Sequence, residues 1–197
     1  MKTLAKISSL LLVLTLFSCE KETTIEPQVT KEVVDYSTTV PIEDFNGDEI
    51  PGATSTLQRD ENGITGTFLS KGLIPGNAYT LWFVVFGDAP GPPSSTFAAG
   101  YIADDSGKGN FAGHLSVGDN FDTPNSTMFV FNTPLTAEIH LVVRTHGPAQ
   151  PGMVAEQIST IDGGCTSGFP SGPVLHPDSD VVGYCANIQA GMHPPIK

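Results

Sequence analysis

Positive charge is scarce in this sequence: 9 lysines and arginines stand against 21 aspartates and glutamates, a formal charge of −12. That balance repels nucleic acid phosphates and anionic lipid headgroups, so nucleic acid is not an expected partner. Long apolar runs are missing as well. The run at residues 10–17 falls far short of the roughly 20 residues a helix needs to cross a bilayer core. No window keeps a helical period of apolar residues. The 21 glycines and 16 prolines interrupt the chain too often for long helices. No internal repeat of solenoid or propeller length is present. Familiar catalytic motifs are absent too: no Gly-x-Ser-x-Gly elbow, no His-Glu-x-x-His and no phosphate-cradling glycine loop. Nothing orders the serines, histidines and aspartates into a triad, so no catalytic residue is assigned.

The short apolar run has a different use. Lys2 and Lys6 form a positive n-region, Leu10 to Phe17 an apolar h-region, and small residues then lead to a cleavage point. Leu16-Phe17-Ser18-Cys19 resembles the lipobox of lipoprotein signal peptides, where the thiol is diacylated and cleavage leaves cysteine as the new N-terminus. Phe17 departs from that pattern, since the position is usually smaller; the alternative is a plain secretory signal with a stray cysteine. The resemblance implies a signal peptide over residues 1–18, lipidation of Cys19 with acyl chains such as palmitate, and attachment to the cell envelope at the outer membrane. Without residues 1–18, seven basic residues face 21 acidic ones and the formal charge is −14. Residues 19–32 are polar, charged and aperiodic, which reads as a flexible tether. Their first residues, Glu20-Lys21-Glu22, resemble the surface-export signals of lipoproteins in the Bacteroidetes. Residues 33–197 are enough for one domain with a core.

Three cysteines remain to be placed: Cys19, Cys165 and Cys185. With Cys19 lipidated, the other two form an even pair in a compartment where disulfides persist. Closing a loop of about 20 residues would stabilise by about 3 kcal/mol through lost chain entropy. A zinc site is the rival reading, and it lacks the close second Cys or His of zinc motifs.

Apolar runs in the domain are short, β-branched or aromatic, and bounded by turn residues. Residues 53–59 and 63–69 flank Asp60-Glu61-Asn62 as a hairpin. Tyr79 to Phe86 is almost wholly apolar and predicts a central strand covered on both faces. Phe97 to Ala103 and Lys108 to Val117 predict a second hairpin across Asp104 to Gly107. Further strands are expected over 137–145, 153–161 and 185–190. Leu73-Ile74-Pro75-Gly76-Asn77-Ala78-Tyr79 is similar to the tyrosine corner of fibronectin type III and other immunoglobulin-like domains, where the phenol bonds back to upstream backbone. The expected fold is an all-β, immunoglobulin-like or fibronectin III-like antiparallel β-sandwich with one disulfide. Two long irregular stretches, 117–137 and 163–184, are the expected binding surfaces.

Alternation of side chains along a strand puts Ile139, Leu141 and Val143 on a core face, and Glu138, His140, Val142 and Arg144 on the other. Phe111, Leu115 and Val117 point inward by the same rule; Asn110, Ala112, His114 and Ser116 point outward. If those strands are neighbours, His114 approaches His140. Imidazole and carboxylate together suit copper or zinc, so His114, His140 and His146 with Glu138 form a candidate metal site. The alternative is a polar outer face in which Glu138 and Arg144 belong to a cross-strand charge network. Asp104-Asp105 and Asp178-Ser179-Asp180 are candidate calcium loops or solvated turns. His176 and His193, in proline-rich segments, are expected at the surface.

Residues 72–86, 109–119, 137–148 and 156–165 together resemble a group of uncharacterised secreted bacterial β-sandwich domains, over most of residues 50–190. His146-Gly147-Pro148 near a strand end is also similar to the chordin-type (CHRD) extracellular β-domain. Neither resemblance implies a catalytic residue. The expectation is therefore a membrane-anchored envelope lipoprotein acting as a non-enzymatic binding or structural module. Its partner would be an envelope protein or a glycan. The alternative is an exported Cu- or Zn-binding protein built on His140 and its neighbouring histidines.

Overall fold

A computed structural model of the chain describes residues 36–87, 91–166 and 181–196. The signal peptide, Cys19, the tether, His176, Asp178 and Asp180 lie outside the described residues. Among the described residues, eight strands follow one another: β1 (Tyr36–Asp44), β2 (Glu49–Arg59), β3 (Gly63–Ser70), β4 (Asn77–Phe86), β5 (Ser94–Ile102), β6 (Gly109–Ser116), β7 (Glu138–Pro148) and β8 (Ala186–His193). One short helix, α1 (Val154–Gln157), lies between β7 and β8. Every ladder is antiparallel.

The all-β expectation holds, but the layering differs from two separately bonded sheets. All eight strands belong to one sheet in the order β5-β4-β7-β8-β1-β2-β3-β6. That sheet curls until its two edge strands meet, which makes it barrel-like. The meeting point is tight: a Cβ on Gly113 of β6 would lie 2.7 Å from the carbonyl oxygen of Ala98 in β5. This explains why the second hairpin does not form as expected. The Asp104 turn closes as predicted, with Asp104 N–H donating to Lys108 O at 3.0 Å. Beyond the turn the strands part, β5 to pair with β4 and β6 with β3. The curl brings them face against face without a ladder.

The first hairpin forms as read, Asp60 accepting from the Asn62 and Gly63 amides at its turn. β4 is also as expected, flanked by β5 and β7 and buried along nearly its whole length. Tyr79 makes the corner: its phenol oxygen accepts the Ile74 N–H at 3.0 Å. Residues 153–161 are not a strand. They hold α1 and tight turns, because Gln157 is drawn inward, donating to the carbonyls of His146 and Pro148 and accepting from Gln150 N–H. Val117 does not point inward either; β6 ends at Ser116 and Gly118 turns the chain with φ +98°, so the alternation stops there.

The interior is filled. Phe68, Phe83 and Phe111 meet Leu57, Leu81, Leu141, Ile64 and Ile139 inside the curl, and Phe68 and Phe111 pack edge-on at 6.3 Å. Gly66 admits this packing, since a Cβ there would lie 2.6 Å from the Leu141 side chain. Side chains pack the described interior, as in small barrels whose inward residues fill the core.

Candidate functional site

The register of the strands builds an apolar row on the outer face. Val84 of β4 lies opposite His140 of β7, and His140 opposite Met192 of β8. One step along, Val142 faces Ala190, which in turn faces Glu43 of β1. Phe86 lies opposite Glu138. Paired residues share a face, so side chains from four adjacent strands line one cleft. The β1–β2 turn forms its wall, contributing Asp44, Phe45 and Gly47. The cleft has a volume of about 440 Å³, within the roughly 300–1,000 Å³ of small-ligand pockets.

The turn that makes the wall is held locally. Asp44 accepts from the Asn46 and Asp48 amides at 2.8 and 3.1 Å, and Gly47 adopts φ +85°. The Asp48 amide, with further help from Asn46 and Gly47, holds the Asp44 carboxyl below its usual range. It is therefore ionised at neutral pH. With Glu43 and Glu138 it gives the cleft an acidic rim over an apolar floor.

His140 stands at the centre. Its Nε2 lies 2.6 Å from Glu138 Oε1, and its ring centre is 4.6 Å from that of Phe86. A carboxylate only accepts, so Nε2 carries the proton in this contact. The carboxylate and the aromatic face fix the imidazole and leave Nδ1 as its remaining polar atom.

The other residues of the expected metal set do not join this pair. His114 lies on β6, whose ladder partner is β3 and not β7; its Nδ1 meets Thr65 Oγ1 at 2.9 Å and its Nε2 meets Ser116 Oγ at 3.1 Å. His146 is six residues from His140 on the same strand, roughly 20 Å at about 3.3 Å per residue. Among the described residues, the group of three metal-ligating side chains that does converge is His146 with Cys165 and Cys185. Those two cysteines are joined as the expected disulfide, so their sulfurs are bonded to each other. No family model, curated protein or solved structure matches this chain.

His146 has a different occupation. It is fully buried on the outer face of β7, beneath the segment that follows it. Gly163 O lies 2.9 Å from Nδ1, so Nδ1 carries the proton and donates; Nε2 then accepts from the Thr80 hydroxyl at 2.9 Å. Thr80 in turn accepts the Trp82 indole N–H at 2.8 Å. This chain fixes one tautomer and ties β4, β7 and the disulfide segment together. Burial pushes the His146 pKa down to about 4, so the ring is neutral at neutral pH.

His193 corrects the surface expectation. It is fully buried inside the sheet, Nδ1 against Thr38 Oγ1 and Nε2 against Ser55 Oγ, both at 2.9 Å. Its strand ends just before Pro194, and the register with Ile139 turns the ring inward. A proline-rich sequence gives no sign of that. No local pattern in the sequence marks Arg59 either. Its guanidinium is buried at one end of the barrel and donates to four backbone carbonyls, those of Pro134, Ala137, His193 and Pro194. It binds the 134–137 segment and the C-terminal segment to β2.

Proposed function

We propose that this chain is an envelope lipoprotein, anchored by acyl chains on Cys19, whose β domain is a non-enzymatic binding module. Its ligand site is the cleft beside His140, and its occupant is a cationic, apolar segment of a neighbouring envelope protein. The observation that carries this reading is the row of apolar side chains crossing β4, β7 and β8 on the outside of the barrel, edged by Glu43 and Asp44 of β1. Met192 is 45% exposed there. Apolar floors of this kind with a few placed polar groups are the usual make-up of binding clefts, and the Glu43, Asp44 and Glu138 rim selects positive charge. The mature charge of −14 favours the same partner at long range.

The kinship with immunoglobulin-like, secreted bacterial and chordin-type domains belongs to the same proposal. Its support is the Tyr79 corner and the His146-Gly147-Pro148 sequence at the end of β7. A Cu or Zn site at His140 has a narrower basis, the imidazole and carboxylate of the Glu138 contact; a melt with and without each ion reads it.

The anchor is tested by labelling cells with a fatty-acid analogue. Label should enter the wild-type chain and be lost in Cys19→Ala; label retained in the variant would remove the anchor from this account. The cleft is tested by titrating the protein with a synthetic peptide of alternating lysine and aromatic residues. Met192→Asp and Glu138→Lys change exposed side chains, so the fold should persist while affinity falls by about tenfold in each, close to 1.4 kcal/mol. Unchanged affinity in both variants would sink the assignment.

A further inference from the structure

A second groove lies on the outer face beside the His140 cleft and shares no residue with it; Trp82 of its floor lies opposite Val142 of that cleft. Its floor is an aromatic pair from β4 and β5: Trp82 and Phe97 pack edge-on, ring centres 5.9 Å apart and planes at 78°. One wall is Asp122 and Thr123. The other is the run from Ser159 to Asp162. The volume enclosed is about 550 Å³.

Both walls are built rather than draped. On the first, Asp122 Oδ2 accepts from the Thr96 hydroxyl at 2.9 Å and from Phe97 N–H at 2.8 Å. Thr123 exchanges backbone hydrogen bonds with Ser95 of β5. Behind them, Phe121 is pinned edge-on to Phe131. On the second, Arg144 Nε donates to Ile161 O at 2.8 Å, and His146 donates to Gly163 O. The Cys165–Cys185 disulfide staples the end of this wall to the start of β8. At its other end the wall presses on β5 at Gly100, where any Cβ would collide with Ile158 O. A loop held at this many points keeps its shape without a ligand.

The polar atoms facing the groove are mostly acceptors. Thr96, Ser159 and Thr160 spend their hydroxyl protons on Asp122, Ala155 O and Glu156 O, which leaves oxygen lone pairs available. The carboxylates of Asp122 and Asp162 add more. Among the described residues, no lysine or arginine lines the groove, which disfavours an anion. Arg144, below the floor, interacts with Asp162 and offsets part of the acidic charge, which weakens the case for a simple cation. An aromatic floor beneath two rows of acceptors suits a ligand with apolar C–H faces and outward hydroxyl donors.

We infer that this groove is a second ligand site and that it takes a neutral oligosaccharide. Phe97, propped by the indole, offers the ring on which a sugar face lies. Asp122 keeps Oδ1 for sugar hydroxyls, since Oδ2 is occupied by Thr96 and Phe97. The first long irregular stretch of the sequence, 117–137, thus supplies one wall through Asp122 and Thr123, while the other wall, Ser159 to Asp162, ends just before the second stretch begins.

The protein carries its own reporter, because Trp82 is its single tryptophan. The full chain should be titrated with short neutral gluco-, manno-, xylo- and N-acetylglucosamine oligosaccharides, following tryptophan emission. At least one should shift the emission saturably. Phe97→Ala, a partly exposed ring, and Asp122→Asn, which keeps an acceptor oxygen for the loop, should each raise the dissociation constant about tenfold with the melting temperature little changed. The inference is overturned if no sugar in the panel shifts the emission. It is equally overturned if the variants bind as wild type does, or if the lysine-rich peptide shifts the emission in place of a sugar. Failure here leaves the His140 cleft untouched, since Met192→Asp and Glu138→Lys report on that cleft alone.

Discussion

Stability of the domain should fall steeply between pH 6.5 and pH 4. His146 and His193 are both fully buried, and burial pushes each pKa from the ordinary 6.5 down to about 4. Above pH 6.5 neither state binds the extra proton and the histidines contribute no pH dependence. Below it the unfolded chain protonates while the native rings stay neutral, so stability drops as the pH falls. Each ring then accounts for a loss on the order of 3 kcal/mol by pH 4, enough to lower a melting temperature by roughly 10 °C. The carboxylates of Asp44 and Asp104, held below their usual range chiefly by the backbone amides of Asp48 and Lys108, act in a separate window at lower pH. A series of melts from pH 7.5 to pH 4 checks this. His146→Gln or His193→Gln should flatten the slope by about half, whatever it does to stability at pH 7.5. A flat profile between pH 7 and pH 5 in the wild type would mean that these rings are not buried as neutral groups.

Replacing Arg59 should have an effect of similar size at neutral pH. Its four hydrogen bonds join β2 to two segments that no strand ladder ties to it. Burial lowers its pKa to about 10, so it remains charged at neutral pH. Arg59→Met keeps most of the apolar stem and leaves the carbonyls without their donor. Hydrogen bonds to a charged group are worth about 1.5–3 kcal/mol each, and a buried acceptor left unpaired loses more than that average. The expected loss is about 3 kcal/mol or more. Arg59→Lys, which restores the charge without the planar fork, should recover only part of it. Denaturant melts of the three proteins decide the matter; equal midpoints would show that the end of the barrel is closed by something else.

What could be read from the sequence was local. The alternation over residues 138–143 placed Ile139, Leu141 and Val143 inward and left Glu138 and His140 outside, as the structure does. The Tyr79 corner, the 60–63 turn and the disulfide all follow from short-range chemistry or from parity. What could not be read was the closure of the sheet. Whether His114 approaches His140 depends on which strands are neighbours, and β6 pairs with β3 while β7 lies between β4 and β8. The Asp104 turn looked like a hairpin because the turn itself is one; only the curl of the whole sheet decides that the strands beyond it part. No clear alternation marks β1, because Pro41 interrupts its pattern. Val142, Arg144 and His146, outward by alternation, are nonetheless buried. The segment after β7 folds back over Arg144 and His146, and no periodicity in β7 encodes that cover. For the same reason the His140 cleft was visible only as a histidine beside an acid, while its apolar partners Val84, Phe86, Ala190 and Met192 come from strands distant in sequence.

The central claim is that the cleft beside His140 holds a positively charged apolar segment. Selecting a random peptide library on the immobilised protein asks this without choosing the ligand in advance. The account predicts enrichment of peptides that combine lysine or arginine with aromatic or long aliphatic residues, released by Met192→Asp and by Glu138→Lys. Enrichment of acidic peptides, or of peptides that bind both variants as tightly as wild type, would contradict it.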